Sequence, residues 1–170
     1  PSTANTSALS FAHELGVRYS EGLYKNHFIG RTFIMPGQEE RKKSVRYKLV
    51  PQELEIRDKK VMIMDDSIVR GNTSREIVRM LRDFGAKEVY FTSACPPVKS
   101  PCFYGVDMPT KNELIAGNMS EKEIEAYLEV DALLYQNIDD LVEAVTRRGD
   151  HYIDKPCMAC LDGNYIANDI

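Results

Sequence analysis

Between residues 61 and 74 the chain reads Val-Met-Ile-Met-Asp-Asp-Ser-Ile-Val-Arg-Gly-Asn-Thr-Ser, and no other stretch narrows the possible folds as much. Four consecutive apolar residues after a charged run suit a parallel strand buried on both faces. Beyond Gly71, the residues Ile77, Met80, Leu81 and Phe84 recur at helical spacing and stop at Gly85, which predicts an amphipathic helix over 73–84. Residues 88–94 read as the next strand, ended by Pro96-Pro97. The span 61–94 then has the length that a parallel crossover needs. The expected class is α/β.

The flanks extend this pattern. Ser120 with Glu123 forms a capping box for a helix to about Glu129, residues 132–135 read as a short strand, and 139–147 as a helix. Upstream, Ala8, Leu9, Ala12 and Leu15 share one face of a helix over 7–16, with Ser7 or Thr6 as N-cap and Gly16 as terminator. From 19 to 60 the periodicity breaks. Gly22, Gly30, Pro36, Gly37 and Pro51 punctuate that stretch, and Arg41, Lys42, Lys43, Arg46 and Lys48 crowd it with positive charge. It reads as a basic loop, mobile from about 24 to 48. Met62, Met64 and Met80 read as core filler.

Composition excludes some partners. Lys and Arg total 22 against 26 Asp and Glu, a net charge of −4, which argues against a nucleic-acid or anionic-membrane binder. The longest wholly aliphatic or Met run, 61–64, is far short of the roughly 20 residues of a membrane span. The opening residues have neither a basic nor an apolar leader pattern, so a soluble, cytoplasmic protein is expected. With Pro1 in first place, the chain is expected to be a piece of something longer. Four cysteines, at 95, 102, 157 and 160, are too sparse for a disulfide scaffold and suit a reducing compartment. Cys157 and Cys160 have metal-ligand spacing; on spacing alone they are half of a zinc site or two structural thiols. Cys95 reads as a small core residue at a strand end. His13, His27 and His151 have no mutual spacing that suggests a catalytic or metal pair.

In an open parallel sheet, ligands bind beyond the carboxyl ends of the strands, and 65–74 occupies such an end. A loop with Gly71, followed by Thr73 and Ser74 opening a helix, offers a phosphate free N–H groups, two hydroxyls and a positive dipole end. Two adjacent carboxylates are the wrong charge for phosphate, but Asp65 and Asp66 can accept hydrogen bonds from vicinal hydroxyls or bind Mg2+. A sugar phosphate satisfies both halves.

The 61–74 stretch resembles the phosphoribosyl pyrophosphate (PRPP) motif of the type I phosphoribosyltransferases. More narrowly, Gly30-Arg-Thr-Phe-Ile-Met-Pro-Gly-Gln38, the Asp-Asp-Ser-Ile-Val-Arg-Gly core, and Tyr104-Gly-Val-Asp-Met-Pro109 with Glu113-Leu-Ile-Ala116 are similar to the glutamine PRPP amidotransferase family, over essentially all 170 residues. The resemblance implies a twisted, mostly parallel sheet flanked by helices, with a mobile active-site loop. It also implies displacement of pyrophosphate from PRPP by ammonia, the first committed step of purine synthesis. Another type I phosphoribosyltransferase acting on a base, and a PRPP-binding regulator without catalysis, are the alternatives.

By the same resemblance, Asp65 and Asp66 hold the ribose hydroxyls and Mg2+, while Ser67, Arg70, Gly71, Asn72, Thr73 and Ser74 cradle the 5′-phosphate. Asn72 stands where many members have Thr. The opening 1–7 resembles the pyrophosphate loop, with Thr3 at a Mg2+-binding hydroxyl position. Arg31, Arg46 and Lys48 are implied to fold over PRPP. Pro101-Cys-Phe-Tyr-Gly105 and Pro156-Cys-Met-Ala-Cys160 resemble the segments that bind a 4Fe-4S cluster. Cys102, Cys157 and Cys160 match three of its four thiolates, the fourth lying upstream of this chain. Implied partners are nucleotide feedback inhibitors, an N-terminal glutaminase domain that supplies ammonia, and further copies in a homo-oligomer.

Overall fold

A computed structural model describes residues 3–26, 49–106, 110–146 and 155–167. Helix α1 (Asn5–Leu15) leads to a two-stranded antiparallel ribbon, β1 (Leu23–Lys25) with β2 (Leu49–Pro51), and a turn of helix, α2 (Glu53–Ile56). Then come β3 (Lys60–Asp65), α3 (Asn72–Asp83) and β4 (Glu88–Ser93). A 3-10 turn (Lys111–Glu113) and α4 (Ile115–Asn118) precede α5 (Glu121–Leu128), β5 (Ala132–Tyr135), α6 (Ile138–Thr146) and α7 (Ala159–Asp162). Strands β3, β4 and β5 form a parallel sheet in that order.

The pairing gives the sheet two faces. Ile63, Phe91 and Leu133 are register partners, as are Asp65, Ser93 and Tyr135. This face, with Val61 and Val89, packs on Val78 and Leu81 of α3 and on Ile124 and Leu128 of α5. The opposite face carries Met62, Met64, Tyr90, Thr92, Ala132 and Leu134, by the same registers. It is covered less completely: Met62 is 43% exposed and Leu134 41%. The reading of 61–64 as a strand buried on both faces is therefore corrected, since among the described residues Met62 is incompletely covered and is not core. Met64 is half-buried, and Met80 is buried as expected.

Helix α3 carries the strongest amphipathic pattern, and its buried side takes Ser74, Ile77, Val78, Met80 and Leu81. Its outer side is tied to the turn before β5. Arg75 and Arg79 both reach Glu129 Oε1, at 2.6 and 3.0 Å, and Arg82 reaches Asp131 Oδ2 at 2.7 Å. Asp131 also accepts the Val89 N–H at 2.6 Å, so one carboxylate joins α3, β4 and the start of β5.

Two upstream readings change. Helix α1 starts at Asn5 with Ala4 as its N-cap and no side-chain cap, not Ser7 or Thr6. Ala4 is buried, and packing fixes this end where a cap was expected. Leu9 and Leu15 point outward, each 54% exposed, while Ala12 is buried; Gly16 ends the helix at φ 65° as expected. The stretch 19–60 also holds β1, β2 and α2, so Tyr24 lies in a strand. Leu49 packs with Ile77 and Met80, and the centre of the basic loop, 27–48, lies outside the described residues.

Candidate functional site

Asp65 is the last residue of β3, and its carboxylate accepts the Asp66 N–H at 3.0 Å. Burial, with the neighbouring Asp66 charge adding to it, raises the Asp65 pKa above its ordinary value. A cation beside this pair would relieve both effects. Asp66 is exposed and accepts the Ser67 hydroxyl at 3.2 Å.

The loop that follows is held from below. Ile68 is 1% exposed and part of the main core, and the Val69 carbonyl accepts the Ile115 N–H at 2.9 Å. Arg70 pairs with Glu113 at 3.1 Å and holds its carboxyl below the ordinary value. Gly71 is required on two counts. Its φ is +76°, and a Cβ there would lie 2.6 Å from Ile115 Cδ1 and 3.2 Å from a Tyr127 ring carbon.

Gly71 is also the N-cap of α3, and no side chain caps the helix. The first N–H groups of a helix have no partner within it, so this end presents donors and a positive dipole just beyond the two carboxylates. Asn72 and Thr73 are exposed at its mouth, whereas Ser74 is 3% exposed and turns inward. The Tyr127 hydroxyl donates to Asn72 Oδ1 at 2.9 Å, and the Arg75 guanidinium lies 4.6 Å from the Tyr127 ring centre.

The structure thus brings Asp65, Asp66, Ser67, Arg70, Gly71, Asn72, Thr73 and Ser74 together in one strand-to-helix turn. Thr3 is exposed in the bend that enters α1, the helix that packs on β3. Arg31, Arg46 and Lys48 lie outside the described residues. Ile115 and Tyr127, which shape the turn from α4 and α5, were not singled out from the sequence. Nothing local in 61–74 points to them, and only the Glu113-Leu-Ile-Ala116 segment offered a signal.

The cysteines converge partly. Lys99 and Ser100 both donate their N–H groups to the Cys160 carbonyl, at 2.9 and 3.0 Å, which lays the strand of chain before Cys102 against α7. Burial raises the Cys160 thiol, and the nearby Cys102 and Cys157 raise it further. Cys157 is exposed, and Cys102 Sγ accepts the Tyr104 N–H at 3.4 Å. Among the described residues, no three His, Cys, Asp or Glu side chains are arranged to hold a metal ion. Cys95 packs against Val98, Leu114 and Leu161, and burial, then Cys160 and Asp66, push its thiol up to about 11.

No family model matches the chain, but individual proteins do. It is 51% identical to the amidophosphoribosyltransferase of Pseudomonas aeruginosa over 170 residues, all of this chain and 34% of that one. With the Methanocaldococcus jannaschii amidophosphoribosyltransferase it is 48% identical over 165 residues, 97% of this chain and 34% of the relative. The glutamine PRPP amidotransferase of B. subtilis, solved in complex with ADP and GMP, superposes with a TM-score of 0.81 at 41% identity, covering 96% of this chain and 37% of that one. By sequence and fold the chain corresponds to one part of the amidophosphoribosyltransferases. Its fold is the type I phosphoribosyltransferase fold, here with three parallel strands described. The chain spans about a third of the length of these relatives. Among the described residues, no helix is long and apolar enough to cross a membrane.

Proposed function

We propose that this chain is the PRPP-binding, phosphoribosyl-transferring part of an amidophosphoribosyltransferase, working beside an N-terminal glutaminase domain. The observation that carries it is the turn from Asp65 to Ser74: two carboxylates at a strand end, then an uncapped helix start kept free of side chain by Gly71. Identity of 48–51%, across this chain and about a third of the length of enzymes named amidophosphoribosyltransferase, supports the reaction. Ammonia attacks C1 of PRPP, the C1–N bond forms as the C1–O bond to pyrophosphate breaks, the configuration inverts, and the excess proton passes to solvent. Ammonia is a sufficient nucleophile, so positioning and charge neutralisation account for the catalysis.

In this reading the N–H groups of 71–74, with Ser67 and Thr73, bind the 5′-phosphate, and Asp65 and Asp66 orient the ribose hydroxyls. Arg70 has Glu113 as its partner and steadies the turn when phosphate is absent. The carboxylate pair fits Mg2+, a hard ion that takes one or two carboxylates and leaves its other positions to water and substrate phosphates; bound, it would neutralise the departing pyrophosphate. Thr3 would offer it a hydroxyl, and Arg31 and Lys48 would face the pyrophosphate. Cys102, Cys157 and Cys160 would give a 4Fe-4S cluster three thiolates, the chemistry such a cluster takes. The fourth would come from elsewhere in the longer polypeptide. Purine nucleotides as feedback ligands, a homo-oligomer and a cytoplasmic location complete the proposal. The nucleotides have their support in the complex of the B. subtilis relative with ADP and GMP.

Pyrophosphate release from PRPP, Mg2+ and ammonium tests it. Turnover with ammonium and none with glutamine alone is expected of this chain. No turnover, with PRPP still bound, would leave a regulator instead. For the cysteines, the full polypeptide reconstituted anaerobically should show thiolate-to-iron absorption that Cys157→Ser weakens, and identical spectra would overturn that assignment.

A further inference from the structure

Arg70 stands immediately before Gly71 in the strand-to-helix turn, and a residue 43 positions on holds it by one atom. Its Nε donates to Glu113 Oε1 at 3.1 Å, while its two terminal nitrogens have no hydrogen-bond partner among the described residues. With side chains 44% and 49% exposed, such a pair adds little to stability. The support around Glu113 is more elaborate than that. Its other oxygen, Oε2, accepts the Thr110 hydroxyl at 3.4 Å, and its N–H donates to the Thr110 carbonyl at 2.9 Å. Asn118 Nδ2 lies 3.0, 3.3 and 2.8 Å from the carbonyls of Lys111, Asn112 and Leu114. The 3-10 turn at Lys111–Glu113 and the four-residue α4 are each too short to persist alone, so Asn118 and the fully buried Leu114 fix this stretch. It meets the turn at three successive residues: the Ile115 N–H on the Val69 carbonyl, Glu113 on Arg70, and the Ile115 side chain against Gly71.

We propose that Glu113 is a positioning residue of the phosphate turn: by holding Arg70 at Nε, it fixes the guanidinium so that the free terminal nitrogens serve the 5′-phosphate of PRPP. This rests on the proposed reading of 65–74 as the PRPP site. A free arginine side chain has many rotamers, and ordering one at the moment of binding costs affinity. Held in advance, it costs nothing further when the ligand arrives. Engagement at Nε leaves the fork of Nη1 and Nη2, whose planar geometry matches two oxygens of a phosphate. The hydrogen bond from Arg70 keeps the Glu113 carboxyl below its ordinary value, so the anchor is charged at neutral pH. Glu113 touches no ligand and acts only through Arg70.

Glu113→Gln in the full-length polypeptide decides this, with ribose 5-phosphate as the binding probe and PRPP, Mg2+ and ammonium for turnover. Affinity for ribose 5-phosphate should fall by roughly fivefold, on the scale of ordering one long side chain. The KM for PRPP should rise by the same factor, with kcat and the urea midpoint unchanged. Arg70→Ala should lose at least as much, and adding Glu113→Gln to it should lose nothing more. A variant that binds as well as the wild type, or better, overturns the proposal. A lower kcat at unchanged KM, the mark of fewer folded molecules, overturns it too, and so does a second fivefold loss in the Arg70→Ala background. Wild-type polypeptide that fails to bind ribose 5-phosphate sinks the PRPP reading and this inference with it, whereas wild-type binding that Glu113→Gln leaves unmoved sinks the inference alone.

Discussion

Helix α5 opens under a complete seal. Ser120 Oγ accepts the Glu123 N–H, and Glu123 Oε2 accepts the Ser120 N–H at 2.7 Å. Helix α3, packed on the same core, opens with Gly71 and no side-chain cap at all. The chain thus has the means to close a helix start, and α3, like α1, does without it, here at the carboxyl edge of the sheet beside Asp65 and Asp66. Capping residues compete with a ligand for the same N–H groups. A start built for stability and a start built for an anion therefore call for opposite residues.

Filling the open start is the hardest way to break this contrast. Gly71→Ala should cost about 2–4 kcal/mol, from the positive φ and the overlap with Ile115 together, and should abolish binding of a nonhydrolysable PRPP analogue. Urea melts and titration measure the two. Adding Ile115→Ala should relieve the overlap and recover part of the stability; no recovery would mean that Ile115 is not what Gly71 makes room for.

Asp65→Asn separates binding from folding. PRPP affinity with Mg2+ should fall by about tenfold or more, on the scale of a lost charged contact. Stability at neutral pH should not fall. The folded-state pKa of Asp65 is raised above 3.8, so the folded form holds the proton more tightly than the unfolded one. Its stabilising contribution is fully present below pH 3.8 and is lost as pH rises through the folded value. The Asn variant lacks that loss, and melts from pH 3 to 7 should show the wild type losing ground to it as pH rises.

Sealing is tested from the other side by Ser120→Ala. It should lower stability by about 1 kcal/mol with PRPP affinity unchanged; a changed affinity would mean that the two helix starts are coupled. Smallest is Tyr127→Phe, which removes the 2.9 Å bond to Asn72. It should cost about 0.5–1 kcal/mol and shift affinity by no more than a few-fold, as the backbone of the turn is held by Ile68 and Val69.

Elements with a local signature were legible. The 61–94 crossover, the Ser120–Glu123 box, the 132–135 strand and the Gly16 stop need only spacing and cap chemistry, and each falls within a residue or so of where it was read. What escaped depends on distant partners. Leu23–Lys25 and Leu49–Pro51 are three-residue strands too short to carry a period. Ala4 caps α1 by being buried, and Leu9 faces outward because no element described packs there. Within the site, the acids and the glycine were legible because their chemistry is local. That Gly71 faces Ile115 and Tyr127, 44 and 56 positions on, is written in no window of sequence.

The arginine row on α3 can be viewed as mechanics. A helix of 12 residues is a rod about 18 Å long, and its first end continues the turn proposed to bind phosphate. Exposed ion pairs add little to stability, yet Arg82 on Asp131 fixes the far end like a pivot. A tilt of roughly 5° about that pivot would swing the first turn by about 1.5 Å, and displacements of about 1 Å can cost a hundredfold in rate. In the proposed reading Asp131 sets the aim of that turn from its opposite end, and damage there would be felt as lost accuracy as well as lost stability.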